Sequence, residues 1–269
     1  MFEEGTATVV FAAYQVGHLQ LAEKGRIKRT FHANLQHAGV AIRREWTRLG
    51  LSGGINMEET TASDNRALKR LLRAAMSGPV SASMRAQGHS YKLNFGVDQP
   101  RLVTIADEVR NDIAASHLRQ NELAAALWKE DIRECRLLAC MLMPVADFPE
   151  DLAEVWVEQL RFAEEAQALA MHLLQRVPFA ADLAFRLVSR ERVLDRLTGW
   201  LLFGRLFAQG KALTQRDADE MLDHLTAELT DATAPMQLRQ TALNALNRFC
   251  DLGEAEAARG ERILNQLWQ

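Results

Sequence analysis

From residue 57 onward, apolar residues recur at every third or fourth position, the spacing of one face of an α-helix. The pattern covers residues 67–76, 101–115, 121–128, 132–143, 152–160, 162–175, 180–188, 191–208, 215–229 and 237–250. Alternating runs of β-branched residues, the mark of a strand, are missing. The breaks are short and carry turn residues: "SGP" at 77–79, "MP" at 143–144, "FP" at 148–149, "VP" at 177–178, "QG" at 209–210 and "DATAP" at 231–235. Helices of about 10–18 residues joined by such turns predict an all-α protein of paired antiparallel helices.

A faint repeat runs through these segments. Arg136-Leu137-Leu138-Ala139 with Leu142 matches Arg196-Leu197-Thr198-Gly199 with Leu202. It recurs as Arg239-Gln240-Thr241-Ala242 with Ala245-Leu246, and without the arginine as Gln167-Ala168-Leu169-Ala170 with Leu173. In each copy a small residue lets the next helix approach, and an apolar residue three further on shares its face. Self-similar helix pairs at intervals of 29 to 43 residues predict an α-solenoid of HEAT-like type.

Residues 1–56 read differently. "RIKRTFHANLQHAGVAIRREWTRLGLSGG" mixes basic, histidine and apolar residues with little periodicity and ends in a glycine-rich break. Met57 then opens a polar lead, a Ser/Asp cap and an amphipathic helix. The expectation is an N-terminal extension over 1–56, poorly ordered or upstream of the natural start, and a single repeat domain over 57–269.

Charge separates the same two parts. Residues 1–56 hold 7 Lys/Arg against 4 Asp/Glu, and residues 57–269 hold 25 against 31. An overall net charge of −3 argues mildly against a nucleic-acid binder, so only a local concentration of arginine could make one. Three cysteines without a pattern point to a reducing cytoplasm rather than a disulfide framework. No apolar run reaches the roughly 18 residues that a membrane helix needs.

Most motif-like features have plain readings. Gly50-Leu51-Ser52-Gly53-Gly54 fits the nucleophile-elbow pattern, but no strand precedes it, so a glycine break is the better reading. Cys135 and Cys140 lie five apart, and His89, His117, His172 and His224 are scattered singly; none has metal-ligand spacing, and no metal is expected. No phosphate-cradling glycine loop is present, and no cofactor is expected.

The arginines carry the question. Arg133, Arg136, Arg192, Arg196 and Arg239 fall at the starts of inner-type helices, where a solenoid could align them as a stripe tracking a phosphate backbone. The alternative is internal: guanidiniums paired with Asp131, Glu134, Asp195 or acids of the adjacent repeat. Arg136 belongs to the repeat frame and reads as architecture. Arg133, with no counterpart at Val193 or Met236, reads as the better ligand contact. Glu164 and Glu165 follow Arg161 and Phe162; neighbouring positions on a helix point about 100° apart, so at most one carboxylate can face a groove.

Two stretches resemble the DNA alkylation repair proteins, the HEAT-like-repeat alkylpurine DNA glycosylases. "YKLNFGVDQPRLVTIADEV" at 91–109 is similar to the family's N-terminal "NYGV" region, and "NELAAALWKEDIRECRLLACML" at 121–142 to its Leu-Trp and Glu-x-Arg-x-Leu-Ala stretch. The resemblance runs from about Met57 to the C-terminus. It implies a curved solenoid whose concave, arginine-lined groove holds duplex DNA by its backbone. Its active members hydrolyse the N-glycosidic bond of cationic alkylated purines, with a groove carboxylate and tryptophans stabilising the developing sugar cation. A leaving base that is already positive needs no strong general acid.

Departures from the family pattern are specific. Where the catalytic members carry Trp-Asp and then a second Asp, this chain reads Phe162-Ala163-Glu164-Glu165-Ala166. A later Trp and Arg are replaced around Asn244-Ala245-Leu246-Asn247-Arg248, whereas Arg196 lines up with a DNA-contacting arginine. The expectation is a duplex-DNA binder, its DNA alkylated or not, with Arg133, Arg136, Arg161, Arg192, Arg196 and Arg239 as contacts. Glu165, or else Glu164, stands in for the missing aspartate if the protein is an enzyme. The alternative is a non-catalytic solenoid scaffold for a protein partner.

Overall fold

The computed structural model describes residues 57–113 and 117–267. All of them belong to the unit Gly53–Gln269, into which the chain divides from Met1–Ser52. The 1–56 segment and the glycine break at 50–54 lie outside the described residues.

Twelve α-helices make up the described residues: α1 (Met57–Ala74), α2 (Gly78–Ala86), α3 (Gln99–Ile113), α4 (His117–Trp128), α5 (Arg133–Leu142), α6 (Glu150–Glu158), α7 (Ala163–His172), α8 (Ala180–Val188), α9 (Val193–Ala208), α10 (Gln215–Thr230), α11 (Met236–Cys250) and α12 (Glu254–Leu267). Short 3-10 turns follow α5 at Val145–Asp147 and α7 at Leu174–Arg176. Each break read from the sequence falls between helices, except that Gly78 and Pro79 of the first form the start of α2. Gly210, with φ +74°, reverses the chain after α9. Thr214 caps α10 by accepting from the Asp217 N–H at 3.2 Å.

The packing has two layers. Helices α3, α5, α7, α9 and α11 touch in succession as an inner row, while α4, α8 and α10 lie against α5, α9 and α11. This is the arrangement of stacked helical repeats. The repeat frame explains its closeness: Ala139, Ala170 and Ala242 are buried. At the fourth copy, a Cβ on Gly199 would lie 2.7 Å from Val188 Cγ1 and 3.0 Å from the Ala184 carbonyl oxygen, so α8 and α9 meet where only hydrogen fits. Both cysteines of α5 are fully buried, and burial pushes the Cys135 thiol up to about 12, so it behaves as a small apolar side chain.

The "NFGV" stretch, residues 94–97, forms a strap between α2 and α3. Leu93 pairs with Ile132 in a single parallel bridge, and the Leu93 carbonyl accepts the first N–H of α5, from Arg133, at 3.1 Å. Gly96 has φ +71°, and a Cβ there would sit 2.4 Å from the Ser77 carbonyl oxygen. Both conditions exclude other side chains.

Candidate nucleic-acid interface

The N-termini of the inner helices lie along one edge, and the arginines and acids singled out in the sequence meet there. Arg136 is buried. Its Nε donates to Glu165 Oε1 at 2.6 Å and its Nη2 to Glu165 Oε2 at 3.1 Å. Nη1 donates to the Trp128 carbonyl at 3.0 Å and Nη2 also to the Gln159 carbonyl at 2.8 Å. One guanidinium thus satisfies the C-terminal carbonyls of α4 and α6, where a cation is favoured by the helix dipole. It also stacks 3.9 Å over Trp128, which in turn stacks on Trp156 at 4.2 Å. The Leu-Trp and Glu-x-Arg-x-Leu-Ala stretches of the sequence are therefore two sides of one contact.

The device recurs two steps along the row, on α9. Arg196 Nε donates to Glu228 Oε2 at 3.0 Å and its Nη1 to the Glu191 carbonyl at 2.6 Å, while Trp200 Nε1 reaches the same Glu228 oxygen at 3.2 Å. Arg192 covers the end of α6 through the Val157, Glu158 and Leu160 carbonyls and pairs with Asp195 at 3.2 Å. The internal reading of these arginines thus describes most of the ladder, with acids of the adjacent repeat as the main partners.

Arg133 is placed differently from its expected role as an open ligand contact. It is buried, donating to Glu164 Oε2 at 2.8 Å, the Val97 carbonyl at 3.0 Å and Glu134 Oε1 at 3.2 Å. Glu134, fully buried, accepts the N–H groups of Phe95, Gly96 and Val97 at 3.1, 2.9 and 3.2 Å. It is the residue that fastens the strap to α5. Glu165 also departs from the expected groove position: it is 0% exposed, and besides Arg136 it accepts the Arg161 N–H at 2.9 Å. Trp156 is core.

What remains open on this edge is a small aromatic nook. His89 stacks on Phe162, with ring centroids 5.6 Å apart, and Tyr91 tilts against the same ring at 4.5 Å. Arg161 lies over Tyr91 and Phe162 and pairs with the half-exposed Asp131 at 2.7 Å. That hydrogen bond holds the Asp131 carboxyl below its usual range. Glu164 sits at the rim, 18% exposed, between His89 Nδ1 at 2.9 Å and Arg133. Tyr91 Oη is buried with no hydrogen-bond partner among the described residues. Burial, with the Glu165 and Glu164 carboxylates nearby, holds the phenol well above its usual range and therefore protonated. Sequence reasoning singled out Arg161, Phe162 and Glu164 but missed His89 and Tyr91, because the stretch between α2 and the strap carries no periodic signal to align it with α7. Arg239, the last of the six arginines, is half-buried at the start of α11 and makes no side-chain hydrogen bond or ion pair among the described residues.

No helix among the described residues is long and apolar enough to cross a membrane, and no group of three or more His, Cys, Asp or Glu is placed to hold a metal ion.

Paired helices stacked in an inner and an outer row, locked by arginines at the helix ends, define a HEAT-like α-solenoid. A solved structure described as "a new family of proteins related to the HEAT-like repeat DNA glycosylases with affinity for branched DNA structures" is similar to this chain. The TM-score is 0.62 over 75% of this chain and 82% of that one, at 16% identity. The sequence model of the DNA alkylation repair enzyme family matches residues 68–244, and the chain belongs to that family. No curated protein matches the chain.

Proposed function

We propose that this protein binds DNA by its phosphate backbone, as duplex or at a branch. The observation that carries this reading is family membership over residues 68–244, from α1 into α11. The relative with affinity for branched DNA supports it on the same fold. On the N-terminal edge the contacts fall to Arg239 and Arg161, with the partly exposed Arg192 and Arg196 beside them. Arg133 and Arg136 act as positioning residues that hold the strap and the outer helix ends.

The same geometry supports separate roles for the two carboxylates. Glu165 is bound up with Arg136 and has no exposed surface, so it is a structural anion. If this chain excises alkylated purines, the carboxylate that serves is Glu164, at the rim of an aromatic nook with a protonated phenol and an imidazole beside it. Release of methylated purine from alkylated duplex is the measurement. Glu164→Gln abolishes any such release, whereas release that survives this change removes Glu164 from the chemistry.

DNA binding itself is tested by fluorescence anisotropy at low salt with a labelled duplex and a labelled four-way junction. Binding to either is the expected result. Absence of both overturns the reading, and the acid excess of residues 57–269 then favours a scaffold for a basic protein partner.

A further inference from the structure

The opposite edge of the inner row carries arginines that the ladder does not use. The last turn of α3 brings Arg110, the end of α7 brings His172, the 3-10 turn after it brings Arg176, and the last turn of α9 brings Arg205. Burial, then the nearby Arg176, Arg110 and Arg205 guanidiniums, hold the His172 imidazole below its usual range, with Asp107 acting in the opposite sense. Asp107 pairs with Arg110 at 2.5 Å. Arg176 turns back only to the His172 carbonyl, and Arg205 has no hydrogen bond or ion pair among the described residues. Lys211, just beyond α9, closes the group by reaching the Gln175 carbonyl at 3.4 Å, and Gln209 is tied to Gln175 at 2.7 Å. His172 Nε2 is buried without a partner.

We propose that Arg110, Arg176 and Arg205, gathered around His172, form an anion site that takes a phosphate group, with Lys211 beside it at the Gln175 carbonyl, and that in this protein the group belongs to a nucleic-acid strand. The second half of the statement rests on the DNA-binding reading above.

Like charges this close repel one another in the free protein. Burial depresses His172 to about 4, and Arg176, Arg110 and Arg205 add to the effect. Burial and the neighbouring Arg110 also lower Arg176. A phosphate placed among them relieves that repulsion and supplies acceptors for the free N–H groups of Arg176 and Arg205. On the N-terminal edge nearly every guanidinium already has a carboxylate or a carbonyl. Here two of three have no acid. The α9 helix, 16 residues long, separates the two edges by roughly 24 Å at 1.5 Å per residue, so a strand held here is distinct from one held at Arg239.

The experiment uses the full chain, with Arg176→Ala/Arg205→Ala as the main variant and Arg239→Ala as the control on the other edge. Both altered side chains are at least partly exposed, and thermal melts confirm that the fold is kept. DNA affinity is measured against salt by anisotropy, and the His172 ring is followed by NMR while inorganic phosphate is added. Expected are a log–log salt slope lowered by about two in the double variant, and a His172 pKa that rises on phosphate addition in the wild type but not in the variant. If wild-type protein binds DNA and the double variant binds with unchanged slope, the site is overturned while the DNA reading stands. If DNA does not bind but phosphate still raises His172, the DNA reading fails and the site serves a free phosphate or phosphorylated small molecule. No response of His172 to phosphate, together with no change in DNA slope, removes the site altogether.

Discussion

Replacing Arg136 with methionine is expected to lower stability by about 3–5 kcal/mol, because it leaves the fully buried Glu165 carboxylate without its cation. It also frees the Trp128 and Gln159 carbonyls and strips the cation from the face of Trp128. For a domain of this size the loss corresponds to a fall in Tm of roughly 10 °C. A second change, Glu165→Leu, removes the orphaned charge, and the pair should recover much of the deficit. The double-mutant cycle by urea denaturation is expected to return a coupling energy of about 2–3 kcal/mol. A coupling near zero would mean that the two side chains stabilise the helices independently, contrary to the ladder described above.

The second large effect falls on Glu134. Its alanine variant leaves the Phe95 and Val97 N–H groups of the strap and one guanidinium N–H without an acceptor, each worth about 1–3 kcal/mol when buried, while the Gly96 N–H keeps only Asn94 Oδ1 at 2.8 Å. The strap should detach from α5, and hydrogen exchange at Phe95, Gly96 and Val97 should accelerate before the rest of the inner row unfolds. Glu134→Gln recovers only part, since one of its polar atoms becomes a donor facing donors. Exchange that stays slow at those three amides would show that the strap is held by Gly96 and Leu93 alone.

These two predictions rest on residues whose role could be read in the sequence only in part. The inner helices were legible because their buried faces repeat with helical period, and α8 runs over exactly the residues that its periodicity marks. Two helices escaped. The α2 helix buries only Ser81, so it carries no apolar stripe, and α12 is dominated by Glu, Ala and Arg. Arg136 was legible as architecture because it repeats, as Arg196 does, in a frame whose small residues are buried, Gly199 at a close helix contact. Arg133 looked exceptional because it does not repeat. Its reason is a partner that the sequence could not reveal: the strap at 94–97, some 36 residues away, whose carbonyl it meets. Glu165 and Glu164 were indistinguishable by type, and one position on the helix decides that the first is sealed in and the second is at the rim. The cluster around His172 escaped for a related reason, since Arg110, Arg176 and Arg205 come from three different elements and share no spacing.

A consistent picture follows from where each charge is spent. Guanidiniums buried with internal partners hold outer helix ends and strap, and those left at least partly exposed are free to meet a polyanion. Net negative charge over residues 57–269 is compatible with this, because the buried acids Glu134, Glu165 and Glu228 are spent on ladder arginines, whereas Arg239, Arg176 and Arg205 pair with no acid among the described residues. The measurement that tests the account most directly is the salt dependence of DNA binding by the wild-type chain beside Arg239→Ala. Backbone binding through unpaired arginines predicts that log affinity falls linearly with log salt, and that Arg239→Ala lowers the slope by about one without altering the melting temperature. Affinity that does not respond to salt, or a slope unchanged by removal of Arg239, would contradict it.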